Sequence, residues 1–413
     1  MKSRIAVSLG AALLAAGCVS PSQTARTGVV WPELVVHLHG VQGKAYLVDT
    51  RTDAIVAELP TAPGAGLGST TPDGKLVYVG SEAPTGDSVT VIDLEKKAVA
   101  ARIRTGARPK HPQVSPDGKW VIVNHWGLDG GKLRVSFIDT ATNSVAKNIE
   151  LEVSRDPGIA GVTSMHNSWS WDSRYAYTVD RVDNHLVAID TRDWSVQKIK
   201  TPSAPHYPVP SPDGKELWLV VEGRDRAENR PGALVFDLTQ PGMRVIGRVD
   251  MPLANQGVLE GHHGSFTQDG RQFLMLNRGP GSNMTGTEVV AFDSATKKLV
   301  ARAETKSTGI GHAYNTPDGR HAVITNYGNN VVSIVDAKTL ASVKDLQIGK
   351  GRMGHVAFTR DGRYAYVSNA GDGNLHKIDM QTLQVVKEIP TGKAAGASQV
   401  LNVWTNVFEE LPR

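Results

Sequence analysis

Cysteine is almost missing from this chain: its 413 residues contain one, Cys18. A single thiol forms no internal disulfide, and without a Cys-X-X-Cys-His run there is no covalent haem attachment of the c type. Net charge is also small. Of the formal +4, two units come from Lys2 and Arg4, and no basic run concentrates the rest, so nucleic acid is not expected as a partner. Helical periodicity is absent. So are a Gly-X-Ser-X-Gly elbow, a His-Glu-X-X-His helix, a phosphate-binding glycine loop and a dinucleotide fingerprint, which leaves a hydrolase or nucleotide enzyme without support.

The first residues read as an export signal: Lys2 and Arg4 give the positive start, and Ile5 to Ala16 form an apolar run too short for a lasting anchor. Leu14-Ala15-Ala16-Gly17-Cys18 resembles a bacterial lipobox, with Leu14 one place earlier than the motif prefers. The resemblance implies removal of residues 1–17, lipidation of Cys18 and membrane attachment. Val19, in place of an inner-membrane retention Asp, implies the outer membrane, facing the periplasm. Residues 18–28 read as the lipidated cysteine and a tether, and 29–413 as one folded domain.

Internal repeats determine the architecture of that domain. An apolar-apolar-Asp strand end recurs at Asp49, Asp93, Asp139, Asp190, Asp237, Asp293, Asp336 and Asp379. A turn related to Thr/Ser-Pro-Asp-Gly recurs with its aspartate at Asp73, Asp117, Asp172, Asp213, Asp269, Asp318 and Asp361, and Ser173 replaces the glycine once. Asp-Gly between apolar runs is a hairpin signal, because glycine accepts the positive φ of a tight turn. Each unit therefore reads as four short antiparallel strands, the blade of a propeller. Eight strand ends against seven turns indicate how the ring closes. Residues 34–60 supply three strands and the C-terminal segment from Ser398 supplies one, so the all-β fold is an eight-bladed β-propeller latched by both chain ends.

Val323-Ile324-Thr325-Asn326 and Tyr366-Val367-Ser368-Asn369, each between an Asp-Gly turn and an Ile/Val-Asp strand end, resemble the Tyr-Val-Thr-Asn (YVTN) propeller repeat. Within that group, an exported eight-bladed ring is similar to the cytochrome d1-type haem propellers, which implies d1-type haem as a cofactor. The reductase of that group carries a cytochrome c module that this chain lacks, so its full reaction is not implied. His262-His263-Gly264-Ser265-Phe266-Thr267 is also similar to a stretch of the nitrous oxide reductase propeller, where histidines hold copper; the cupredoxin part of that enzyme is absent here.

Aligning blades on the Asp-Gly turn places Leu67, His111, His166, Tyr207, His263, His312 and His355 in one register, with His206 one place before Tyr207 and about Ser398 as the eighth equivalent. Six successive blades thus carry histidine at the start of the strand nearest the axis. Imidazole is a common ligand for copper and for haem iron, so His111, His166, His206, His263, His312 and His355 are candidate metal ligands. Duplication of one structural histidine explains the same register. Against that, the following residue has drifted to Pro112, Asn167, Tyr207, Gly264, Ala313 and Val356 while the histidine stayed.

Loops joining second and third strands open on the same mouth, bringing Asn124, His125, Asp180, Glu222, Asn277, Asn326 and Asn369 there, together with Arg181, Arg224 and Arg278 as candidate partners for haem carboxylates. His37 and His39 share one face of a blade-8 strand and suggest packing, and Trp169, Trp171, Trp218 and Tyr366 suggest contacts between blades. The expected function is a metal- or haem-binding propeller with a redox, electron-transfer or cofactor-handling role and a periplasmic redox or maturation partner. A non-enzymatic scaffold for protein interactions remains the alternative.

Overall fold

The computed structural model describes residues 29–158, 161–223, 230–252, 260–279, 284–392 and 398–405. All regular structure within them is strand, arranged as eight four-stranded antiparallel sheets. No helix among the described residues is long and apolar enough to cross a membrane. Cys18 and its tether lie outside the described residues, as does Arg224.

Blades 1 to 7 each run from the innermost strand outward. Those innermost strands are Gly68–Thr70, Gln113–Val114, Ser168–Trp169, Pro205–Pro210, Gly261–Phe266, Ile310–Asn315 and Met353–Phe358. Blade 8 is composite: Ser398–Asn402 pairs antiparallel with Leu34–His39, and Lys44–Asp49 and Ile55–Pro60 complete the sheet. Lys377 and Tyr366 of blade 7 both reach Asp53 Oδ1 of blade 8, each at 2.7 Å. The ring is therefore closed by strand pairing and by an ion pair across the seam.

Strand alternation makes the core. In Leu217-Trp218-Leu219-Val220, Trp218 and Val220 pack toward Phe266 and Phe273 of blade 5, while Leu217 and Leu219 pack toward Tyr177 and Val179 of blade 3. Each blade is thus apolar on both faces, and burial between neighbours replaces a single central core. The tryptophans serve these contacts: Trp169 Nε1 donates to Gln113 O (2.9 Å) and Trp171 Nε1 to Ser211 O (2.7 Å).

The repeated turn works locally. Thr71 Oγ1 donates to Asp73 Oδ1 (2.6 Å), and that carboxylate accepts the Lys75 N–H (3.1 Å). Gly118 shows why glycine stands there: its φ is 76°, and a Cβ would lie 3.1 Å from Pro72 of the preceding blade. The same geometry repeated around the ring fixes the height at which every innermost strand begins.

Candidate functional site

The innermost strands of blades 4 to 7 begin with β-bulges. In blade 4, Pro205 pairs with Val221 and Tyr207 with Val220, so His206 is the extra residue. In blade 5, Gly261 pairs with Asn277 and Gly264 with Met275, which places His262 and His263 together in the bulge. In blade 7, Met353 pairs with Asn369 and Val356 with Val367, which places His355 in the bulge, whereas in blade 6 the extra residue is Gly311 and His312 follows it, paired with Thr325. A bulge breaks the two-residue alternation and re-aims side chains. His206 reaches the axis from one place off the common register for this reason, and both His262 and His263 do so.

These elements bring the six expected histidines together with a seventh. Ring centroids lie 4.0 Å apart for His111 and His166, 4.3 Å for His166 and His263, 4.3 Å for His263 and His312, and 4.7 Å for His312 and His355. His206 stands 4.5 Å from His262 and 4.9 Å from His263. Six of the seven are buried, and His355 is half-buried. Burial, followed by mutual repulsion, pulls His111, His166, His262, His263 and His312 well below the usual imidazole range, so they are neutral at pH 7. His206 falls to about 4, again through burial, although Glu222 beside it opposes the shift.

Glu222 is buried, which alone would raise its pKa; Arg181 and His206 outweigh that and hold it ionised. Arg181 grips both carboxylate oxygens, at 3.1 and 2.6 Å. A neutral imidazole beside an ionised carboxylate carries its proton on the facing nitrogen, so His206 Nδ1 donates to Glu222. Its Nε2 is left as a buried lone pair with no hydrogen-bond partner among the described residues.

A cavity of about 270 Å³ lies over the arc. His111, His166, His262, His263, His312 and His355 line it, with Trp126, Met165, Met284, Met353 and Tyr327, and with the cations Lys110, Arg278 and Arg352. The Tyr327 hydroxyl contacts His312 Nε2 at 2.7 Å and His262 Nε2 at 3.3 Å. Lys110 is buried beside Glu82, 3.9 Å over the Trp126 ring, and its pKa is pushed down to about 7 by burial.

The cavity takes Arg278 of the three expected arginines, and that side chain also pairs with Glu260. Arg181 sits behind the arc on Glu222 and does not line the cavity. Several mouth residues hold backbone: Asn124 Oδ1 accepts the His111 N–H (3.0 Å), and Asn277 Oδ1 accepts the Gly279 N–H (2.9 Å). His125 stands apart, its Nδ1 on Arg134 O at 2.9 Å. His37 and His39 are buried in blade 8, His37 bonded to Thr391 at 2.8 Å, away from the arc. Sequence reasoning did not assign Tyr327, Lys110, Arg352 or the methionines to the site, and it quoted His262 without placing it in the ring.

Residues 320–402 match the family model of the Cytochrome D1 heme domain. Among solved structures, "Dihydro-heme d1 dehydrogenase NirN in complex with DHE" is similar at TM-score 0.71 and 21% identity, covering 92% of this chain and 77% of that one. The likeness to the d1 haem domain is thus shown for residues 320–402, and for the rest the shared feature is the propeller fold. Kuenenia stuttgartiensis hydrazine synthase also aligns, at TM-score 0.58 and 20% identity over 79% of this chain and 98% of the other. So does the Pseudomonas aeruginosa periplasmic gluconolactonase PpgL, at TM-score 0.57 and 18% identity over 77% and 98%. A search of curated proteins finds no match. In this propeller the donors suit a haem-type group: neutral imidazoles can face iron, and Lys110, Arg278 and Arg352 can meet carboxylates.

Proposed function

We propose that this protein is a lipid-anchored propeller of the bacterial envelope that binds a haem-type tetrapyrrole in the cavity over its histidine arc, in a redox, electron-transfer or cofactor-handling role. The observation carrying this reading is one cavity lined both by neutral imidazoles and by the basic side chains of Lys110, Arg278 and Arg352. An unprotonated imidazole presents a lone pair to iron, and guanidinium and ammonium groups pair with carboxylate substituents. Trp126, Met165 and Met353 offer apolar surface to a macrocycle. Bound there, a haem supplies one-electron chemistry at its iron. The chain's own share is binding, orientation and exclusion of water, since nearly all of the arc is buried. The likeness to a d1-haem dehydrogenase at the level of fold and the family match over residues 320–402 support the haem class. Cys18 supplies the membrane attachment, and the open mouth is where a periplasmic redox or maturation partner would dock.

Titration of the purified protein with d1 haem and, separately, with ferric protoporphyrin IX tests the reading by visible absorption. A saturable shift of the main absorption band is expected with at least one of them, weakened tenfold or more in His312→Ala and in His355→Ala and unchanged in His185→Ala. No shift with either porphyrin overturns it. For the anchor, Cys18→Ser is expected to leave the membrane fraction, and unaltered fractionation would refute lipidation at that residue.

A further inference from the structure

Three histidines of the arc converge on one point, and one of them, His206, plays no part in the cavity reading. The coordinating nitrogens of His166, His206 and His263 all lie within 4.8 Å of one another. His206 lines no part of the cavity, and its side chain is fully buried. Its Nδ1 is occupied by Glu222, so the nitrogen left to take an ion is Nε2, which has no hydrogen-bond partner among the described residues. A buried lone pair without a donor is uncommon in a folded protein and calls for an explanation. Glu222 is in turn fixed by both nitrogens of Arg181. Carboxylate backing of this kind orients an imidazole and increases its basicity as a ligand.

We propose that His166, His206 and His263 form a three-imidazole site for one nitrogen-preferring transition-metal dication, set beneath the cavity, with Glu222 and Arg181 as its positioning pair. Imidazole nitrogens bound at about 2.0–2.1 Å on a tetrahedral ion stand about 3.3 Å apart, so small inward rotations of the three rings complete the site. Three imidazoles and no thiolate exclude an iron–sulfur centre and favour the copper and zinc end of the divalent series. The site adjoins the cavity, because His166 and His263 also line its wall. The ion binds without any tetrapyrrole, so this proposal stands apart from the haem reading.

The test uses the full-length chain, stripped with a chelator and free of porphyrin, titrated with Co²⁺ by visible absorption and with Zn²⁺ and Cu²⁺ by calorimetry. One equivalent per chain is expected, together with a rise in Tm on adding the ion. His206→Ala should abolish the stoichiometric site. Glu222→Gln, which keeps the volume but removes the charge, should weaken affinity by about 10- to 100-fold while the ion still raises the variant's Tm. His185→Ala is the control and should bind as the parent does. Absence of a stoichiometric ion in the parent overturns the proposal, as does unchanged affinity in either folded variant of His206 or Glu222. If ions bind but neither porphyrin does, the haem reading alone fails.

Discussion

The two ends of the innermost strands face opposite openings of the channel, and they treat polar groups in opposite ways. At the turn end, all seven Asp-containing turns make the same short bond from a Thr or Ser hydroxyl to the aspartate, between 2.5 and 2.7 Å. Each of these hydroxyls finds its carboxylate two residues along the chain. At the histidine end, buried ring nitrogens of His111, His206 and His262 have no hydrogen-bond partner among the described residues. One repeat therefore yields a self-satisfied face that stabilises and an incompletely satisfied face held in place by the rest of the ring. Polar groups left in that state are found where a ligand completes them.

The largest effect that separates the two ends is acid lability. His206 titrates near 6.5 when unfolded and near 4 when folded. A histidine with a depressed folded pKa contributes stability that is complete above 6.5 and is lost as pH falls toward the folded value, because the unfolded chain binds the proton first. For His206 alone the loss is about 3 kcal/mol by pH 4. His111, His166, His262, His263 and His312 shift in the same direction, so the losses accumulate. Urea midpoints measured from pH 7 to pH 4 should fall steeply below 6.5, with uptake of several protons on unfolding. A flat profile across that window would mean that the arc is not buried as a unit.

Much of this was legible beforehand, for a physical reason. The turn is a local device, so Thr/Ser-X-Asp-Gly gave the blade count and, by counting back from the glycine, the common height of His111, His166, His263, His312 and His355. The seam followed from three unpaired strands at one end and one at the other. Bulges were not legible, since they depend on pairing across the sheet; His262 therefore gained its place in the arc only in the folded chain. Tyr327 shares the register of Arg181 and Arg278, and Lys110 that of His262, but residue type varies at these positions from blade to blade, so the register alone did not single them out. Arg181 was legible as a mouth cation but not as the partner of Glu222, because that pair joins blades 3 and 4.

A second effect, smaller than the acid transition, concerns that pair. Arg181→Ala leaves Glu222 buried with His206 as its remaining partner. Removing one member of a buried ion pair costs about 3 to 5 kcal/mol, mostly from the charge left behind. Urea unfolding at pH 7 should show a loss of that size. A loss under about 1 kcal/mol would mean that Glu222 takes up a proton at no great cost, and the carboxylate backing of His206 would be weaker than the geometry implies.

The smallest effect probes the satisfied end, at the one turn whose glycine is replaced. Ser173 holds φ at 61°, the left-handed region, where a side chain costs about 1 kcal/mol relative to glycine. Its hydroxyl offsets this by accepting the Asp117 N–H of the neighbouring blade at 2.9 Å, a bond contributing about 1 kcal/mol. Ser173→Gly removes strain and bond together and loosens the unfolded chain slightly, so its stability should stay within about 1 kcal/mol of the parent. Ser173→Ala keeps the strained backbone and loses the bond, so alanine should be the less stable of the two variants. Equal midpoints for serine and alanine in urea would show that the Asp117 bond contributes nothing. Glycine would then exceed both, and the turn face would owe its uniformity to backbone geometry alone.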